Sequence, residues 1–216
     1  MYRPPKVFNR GPSKRHERRG FREPAMYVID FMEMGNPEDR HPEHRTQPVV
    51  QGVGVKYFTL LEAIPLPAIR LEILERIDLG PESKVRRVIT INYNDLTSVA
   101  KTNLKDAIKN IILENEKIFV EFFNLAEPVN IRMHVFELLP GIGKKTMRAL
   151  IEERRINRFT SFEDIKNRAK IDPVKILCER ILKEIEGGEK YYIFVKPLDR
   201  QSIYLGYLEK LYGELF

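Results

Sequence analysis

Between Ala25 and about Tyr93, apolar side chains fall in short runs that alternate with polar ones, the period-two pattern of half-buried strands. Met26 to Met34 forms one such run. Val49 to Glu62 reads as a single long strand, with Val49, Val53, Val55, Tyr57 and Leu61 on one face and Gly52, Gly54, Lys56, Phe58 and Glu62 on the other. Two glycines on one face allow that strand to bend sharply. Leu71 to Leu79 and Lys84 to Ile91 supply two more strands, joined at a Gly80-Pro81 turn. Four strands with a bent second member predict a small OB-type β-barrel. Tyr191 to Val195 is a candidate fifth strand, which would make the intervening helices an insertion into the barrel's chain.

The apolar period then becomes helical. Ser98 to Leu113 spaces Val99, Leu104, Ala107, Ile108, Ile111 and Ile112 as one helix face. Further on, Leu139-Pro140-Gly141-Ile142-Gly143-Lys144-Lys145-Thr146 separates two apolar helical patterns. The first is supplied by His134, Val135, Leu138 and Leu139. The second runs from about Lys144 to Glu153, with Met147, Leu150 and Ile151 opposite Lys144, Lys145, Arg148 and Glu152. Gly141 and Gly143 permit positive φ and close approach, and Pro140 closes the preceding helix.

This stretch resembles the turn of a helix-hairpin-helix nucleic-acid-binding motif. Bare amides at a helix start, aided by the helix dipole, favour an anion. The predicted phosphate contacts are the amides of Gly141, Ile142 and Gly143, together with Lys144, Lys145 and Arg148. The Ile142 side chain is expected to wedge into the core. A degraded copy follows 29 residues on, aligning Ile171 with Ile142. Phe162-Glu163-Asp164-Ile165 opens its first helix, capped by Thr160 or Ser161 with Glu163 or Asp164, and Pro173 to Glu186 forms its second. Paired hairpins of this type usually bridge two phosphates, but Lys170 and Asp172 replace the glycines here. Asp172 is expected to cap the helix begun by Pro173.

The net charge of +6 is unevenly placed. Residues 1–24 hold eight Arg or Lys against two Glu, and residues 131–187 hold thirteen basic against nine acidic side chains. Residues 25–130 are net acidic, with twelve against sixteen. Basicity gathered in a tail and around a hairpin is the electrostatic footprint expected of a nucleic-acid ligand. The tail has too little apolar surface to fold alone and is expected to be a disordered arm that orders on RNA or DNA.

No apolar run approaches a membrane span and residues 1–24 lack a signal-peptide core, so a cytoplasmic location without membrane contact is expected. The single Cys178 permits no internal disulfide and reads as a buried small hydrophobe. His41 and His44 lie in the polar loop from Gly35 to Pro48, without the further ligands that a metal site needs. No cofactor or metal is expected.

From Ala25 onward the chain resembles an uncharacterised archaeal family of predicted nucleic-acid-binding proteins that joins an OB-type barrel to a helix-hairpin-helix module. The likeness rests on Tyr57-Phe58-Thr59-Leu60-Leu61-Glu62, Tyr93-Asn94-Asp95-Leu96-Thr97, the Leu139 to Lys145 hairpin and Ser161-Phe162-Glu163-Asp164-Ile165. It implies an α+β fold: a small OB-type β-barrel over residues 25–95, an all-helical helix-hairpin-helix domain over 96–187 and a C-terminal strand and helix over 188–216.

OB barrels usually bind single strands on strands two and three, which makes Lys56 and Phe58 candidate contacts, with Arg86 and Arg87 nearby. Alternatively Phe58 packs under the Ser98–Leu113 helix. The expected function is non-enzymatic binding of RNA or DNA, with RNA slightly favoured by the Arg-rich tail.

Two other readings stay open. One is an adaptor on ribosomal or transcription machinery, docking through Ile203, Tyr204, Leu205, Leu208, Leu211, Tyr212 and Leu215. The other is a glycosylase/lyase in which Lys145 is the nucleophile. That reading has Glu163 near the place of an assisting Asp, and no cysteine cluster.

Overall fold

The computed structural model describes residues 23–36 and 45–215. Residues 1–22 of the basic tail, and His41 and His44, lie outside the described residues. Five antiparallel strands pair in the order β4-β1-β2-β3-β5 and curl into a half-barrel. They are β1 (Ala25–Met32), β2 (Val49–Gly54), β3 (Leu60–Pro65), β4 (Arg76–Asp78) and β5 (Val85–Thr90). Register shifts between Val28 and Asp30 of β1, and between Glu62 and Ile64 of β3, add the local bend that curling needs.

Val49 to Glu62 is a hairpin, not one bent strand. A distant carboxylate forces the reversal: Glu23 is buried and accepts the backbone N–H of Lys56 at 2.8 Å, of Tyr57 at 3.0 Å and of Thr59 at 3.1 Å. Gly54 makes room for it, because a Cβ there would lie 2.1 Å from the carboxyl carbon. Phe58 turns the corner at φ 57°. Its ring enters the core against Phe119, with centroids 6.2 Å apart.

The two faces of the sheet have separate fates. Met26, Val28, Val50, Leu61, Ala63, Ile77 and Val85 form a small core of their own. Ala25, Tyr27, Ile29, Val53, Val55 and Leu60 join the main core with the helices, which is continuous from the sheet to the C-terminal helix.

Helix α1 (Ser98–Glu114) packs across β1, buries Leu104, Ala107, Ile108, Ile111 and Ile112, and leaves Val99 exposed. A buried polar cluster fixes its start. Gln51 donates to Glu62 and to the Asp95 carbonyl, each at 3.0 Å, and accepts Thr97 N–H at 3.0 Å. Thr97 Oγ1 donates to Asp30 and caps α1 by accepting Ala100 N–H at 2.9 Å.

The helical part continues with α2 (Glu116–Leu125), a small ribbon of β6 (Pro128–Asn130) and β7 (Met133–His134), and a 3-10 turn over Val135–Leu138. Then come α3 (Lys144–Ile156), α4 (Phe162–Ala169), α5 (Pro173–Glu186), β8 (Tyr191–Tyr192), β9 (Ile203–Tyr204) and α6 (Tyr207–Leu215). Tyr191 to Val195 does not return to the half-barrel. β8 pairs in parallel with β9, and the amides of Ile193, Phe194 and Val195 are all taken by the Glu184 carboxylate.

Gly54→Ala drives a methyl into the Glu23 carboxylate and is expected to cost about 1–3 kcal/mol in urea unfolding. Gly80→Ala, where no atom lies within 4 Å of the new Cβ, leaves the midpoint in place.

Candidate nucleic-acid interface

The arm that leads into the glycine turn is a single 3-10 turn rather than the expected helix. His134, at the end of β7, caps it: Nδ1 accepts Phe136 N–H at 3.2 Å, and His134 N–H donates to Glu137 at 2.9 Å. Phe136 anchors the arm by stacking on Phe123 at 5.7 Å. Leu139 and Ile142 are buried, so the Ile142 side chain is the expected wedge.

The two glycines differ. Gly141 takes φ +75°, whereas Gly143 sits at φ −87°, which any residue adopts. A Cβ on Gly143 would meet nothing within 4 Å. Neither backbone conformation nor internal packing therefore requires glycine at 143. Among the described residues, no side chain caps this helix start, and Met147 N–H to the Gly143 carbonyl, at 2.9 Å, is the first bond back to it. Lys144, Lys145 and Arg148 are exposed around it, and among the described residues none of the three is in an ion pair.

Three neighbouring arginines are engaged elsewhere. Arg168 binds Glu153 and Asp164, each at 3.1 Å, and Arg158 pairs with Glu121. Arg154 points inward, donating to the Phe123 carbonyl at 3.0 Å with its guanidinium 5.5 Å from the centre of the Phe136 ring.

The second copy keeps the backbone and changes the chemistry. Ser161 caps α4, accepting Asp164 N–H at 3.0 Å. Lys170 takes the left-handed conformation of Gly141, at φ 57°, and Asp172 takes the helix-cap place of Gly143. As expected, Asp172 caps its own helix: Oδ1 accepts Lys175 N–H at 3.0 Å. One helix start is closed by its own carboxylate and the other is open.

Sequence reasoning did not single out the pair that holds both copies in place. Arg180 and Glu184 of α5 are buried and joined at 2.7 Å. Arg180 also donates to the Leu138 carbonyl at 3.1 Å, to Glu189 at 2.9 Å and to the Tyr191 carbonyl. Burial raises the Glu184 carboxyl, while Arg180 and the three amides it accepts pull it down. In sequence the pair is indistinguishable from an ordinary exposed i,i+4 ion pair. The only hint is its place among Leu177, Ile181 and Ile185.

Of the sheet candidates, Phe58 is corrected by its burial. Phe58 is 1% exposed, so it offers no face for a base. Lys56 is half-buried, its ammonium 4.6 Å from the Tyr212 ring centre and 5.2 Å from that of Tyr57. Arg86 and Arg87 are exposed on β5, at an end of the sheet. Leu208 and Leu211 of the C-terminal stripe are buried in the main core. Lys145 is exposed at the start of α3. Among the described residues no cluster of His, Cys, Asp or Glu is placed to hold a metal, and no helix is long and apolar enough to cross a membrane.

A family described as "Protein of unknown function (DUF655)" matches residues 22–196. The chain belongs to the DUF655 family. This DUF655 protein is 38% identical to the uncharacterised protein MJ0038 of Methanocaldococcus jannaschii over 177 residues, 79% of this chain and 78% of that one. Its fold is similar to the crystal structure of Af1531 from Archaeoglobus fulgidus, at 42% identity and a TM-score of 0.71, covering 81% of this chain and all of the other.

Arg180→Met strands the buried Glu184 carboxylate and is expected to cost about 3–5 kcal/mol in chemical denaturation. Arg70→Ala, which removes the exposed pair with Glu33, leaves the midpoint unchanged. Cys178 is 3% exposed and burial pushes its thiol up to about 11, so a thiol reagent at pH 8 should label it only after unfolding.

Proposed function

We propose that this DUF655 protein is a non-enzymatic nucleic-acid-binding protein that grips the phosphate backbone at its first glycine turn. On this reading, residues 134–156 are a helix-hairpin-helix motif with a shortened first arm, and the curled sheet is an OB-type half-barrel. The amides of Gly141, Gly143 and the first turn of α3 donate to a phosphate oxygen at the positive end of the α3 dipole, and Lys144, Lys145 and Arg148 neutralise its charge, whereas the Ile142 N–H, also expected to reach the phosphate, is already given to the Leu139 carbonyl at 3.2 Å. The observation that carries the reading is the contrast between two matching helix starts. Among the described residues nothing calls for glycine at 143, yet no side chain caps the amides there, whereas Asp172 caps its own helix.

Phe58 is buried and is left out of the binding surface, which favours backbone contact over base stacking on the sheet. RNA is favoured over DNA on account of the Arg-rich N-terminal sequence.

Gly143→Asp separates fold from binding. The backbone accepts aspartate there, and the new carboxylate can cap α3 as Asp172 caps α5. Fluorescence anisotropy with single- and double-stranded RNA and DNA at several salt concentrations is expected to show binding that weakens steeply with salt. Gly143→Asp should lower affinity at least about tenfold with no loss of melting temperature, since an aspartate cap is at least as favourable as glycine. Unchanged affinity in the folded variant contradicts the reading. A tail-free chain for the same assay must keep Glu23, which holds the β2–β3 turn.

A further inference from the structure

His134 is 7% exposed, and its Nε2 is buried without a hydrogen-bond partner. Buried polar atoms are almost always paired, and here the Ala126 carbonyl acts on the ring without closing a full hydrogen bond to it. The other ring nitrogen is committed: Nδ1 accepts Phe136 N–H and so carries no proton, which places the single proton of the neutral ring on Nε2. A second proton has only Nδ1 to go to. There it meets the Phe136 N–H head-on, two donors face each other, and the cap on Val135–Leu138 is lost.

The surroundings give the cation little help. The Phe136 ring lies 4.7 Å away, centre to centre. Arg154 of α3 adds positive charge, while Glu137 of the 3-10 turn and the Ala126 carbonyl after α2 act the other way. Tyr207 of α6, Arg155 of α3 and Glu127 are the other ionisable groups that act on Arg154. Burial first, and then Arg154, holds the imidazole below its usual range.

We propose that His134 is a proton-sensitive latch: its neutral ring holds the Val135–Leu138 arm and the glycine turn shut, and protonation releases them. The latch rests on the geometry of the arm and holds whatever the hairpin binds. Because the closed arm resists the proton, the open arm binds more of it, and opening is favoured as pH falls below about 6.5, the value of a free histidine. At pH 5.5, one unit lower, the closed-to-open ratio falls by up to about tenfold. At pH 7.5 the effect is absent.

Amide hydrogen exchange over residues 135–143 of the full chain, corrected for the intrinsic pH dependence of exchange, tests the latch between pH 7.5 and 5.5. The wild type should open up to about tenfold more at the lower pH. His134→Asn, which keeps a capping oxygen but takes no proton, should lose that dependence. A flat wild-type profile overturns the latch, and so does an equal rise in the variant. If His134→Asn does not fold, the imidazole C–H signal of the wild type, assigned through its contact with Phe136, decides. A midpoint below about 6.5 supports the latch and one at or above it refutes it.

Discussion

The Arg180–Glu184 pair is the constraint on which the helical half is built. Two charges withdrawn from water are tolerated only when each finds a full set of partners. Glu184 finds Arg180 and three successive amides, and Arg180 finds two carboxylates and two carbonyls. These demands tie three separate stretches together: α5, the carbonyl of Leu138 before the glycine turn, and the segment after α5 that carries Glu189, Tyr191 and residues 193–195. Phe194 is thereby set against Phe119 and Phe122, at 5.8 and 4.9 Å. A turn made of small residues inherits its position from a clamp it does not contain.

That clamp supports two turns of the same backbone shape with opposite chemistry. A left-handed residue, a buried or half-buried isoleucine and a helix cap recur in order, as Gly141-Ile142-Gly143 and Lys170-Ile171-Asp172. Lysine at φ 57° carries a strain of about 1–2 kcal/mol that glycine avoids, so the second copy relies on its surroundings to hold its shape. Its aspartate satisfies the helix start from within. The first copy leaves the same donors to solvent and surrounds them with cations, which is why the proposed grip falls there and not on the repeat.

Much of this order is legible along the chain, and the failures share a physical cause. Alternation located the strands, and the helical spacing located α1, α3 and α5. The hairpin within Val49–Glu62 was hidden because the residue that makes it, Glu23, stands 33 positions upstream of Lys56 and reads as part of a charged tail. Phe58 looked outward by period two, but the turn breaks that period and swings the ring into the core. Tyr191 to Val195 has strand composition, yet a carboxylate nine to eleven residues earlier takes its amides. In each case a local rule was overruled by a side chain far away in sequence or hidden in a helix. The turn itself was readable because glycine, proline and cap chemistry act over a few residues. The positive φ expected at Gly143 was the exception, and its ordinary conformation is what leaves that glycine without an internal role.

A chemical-shift titration of the labelled full chain with a short single-stranded RNA at low salt decides whether the first turn grips a phosphate backbone. The largest amide shifts are expected at Gly141 to Thr146, with little change at Lys170 to Lys175. Shifts confined to the second turn or to the strands of the half-barrel, with the first turn silent, would contradict it.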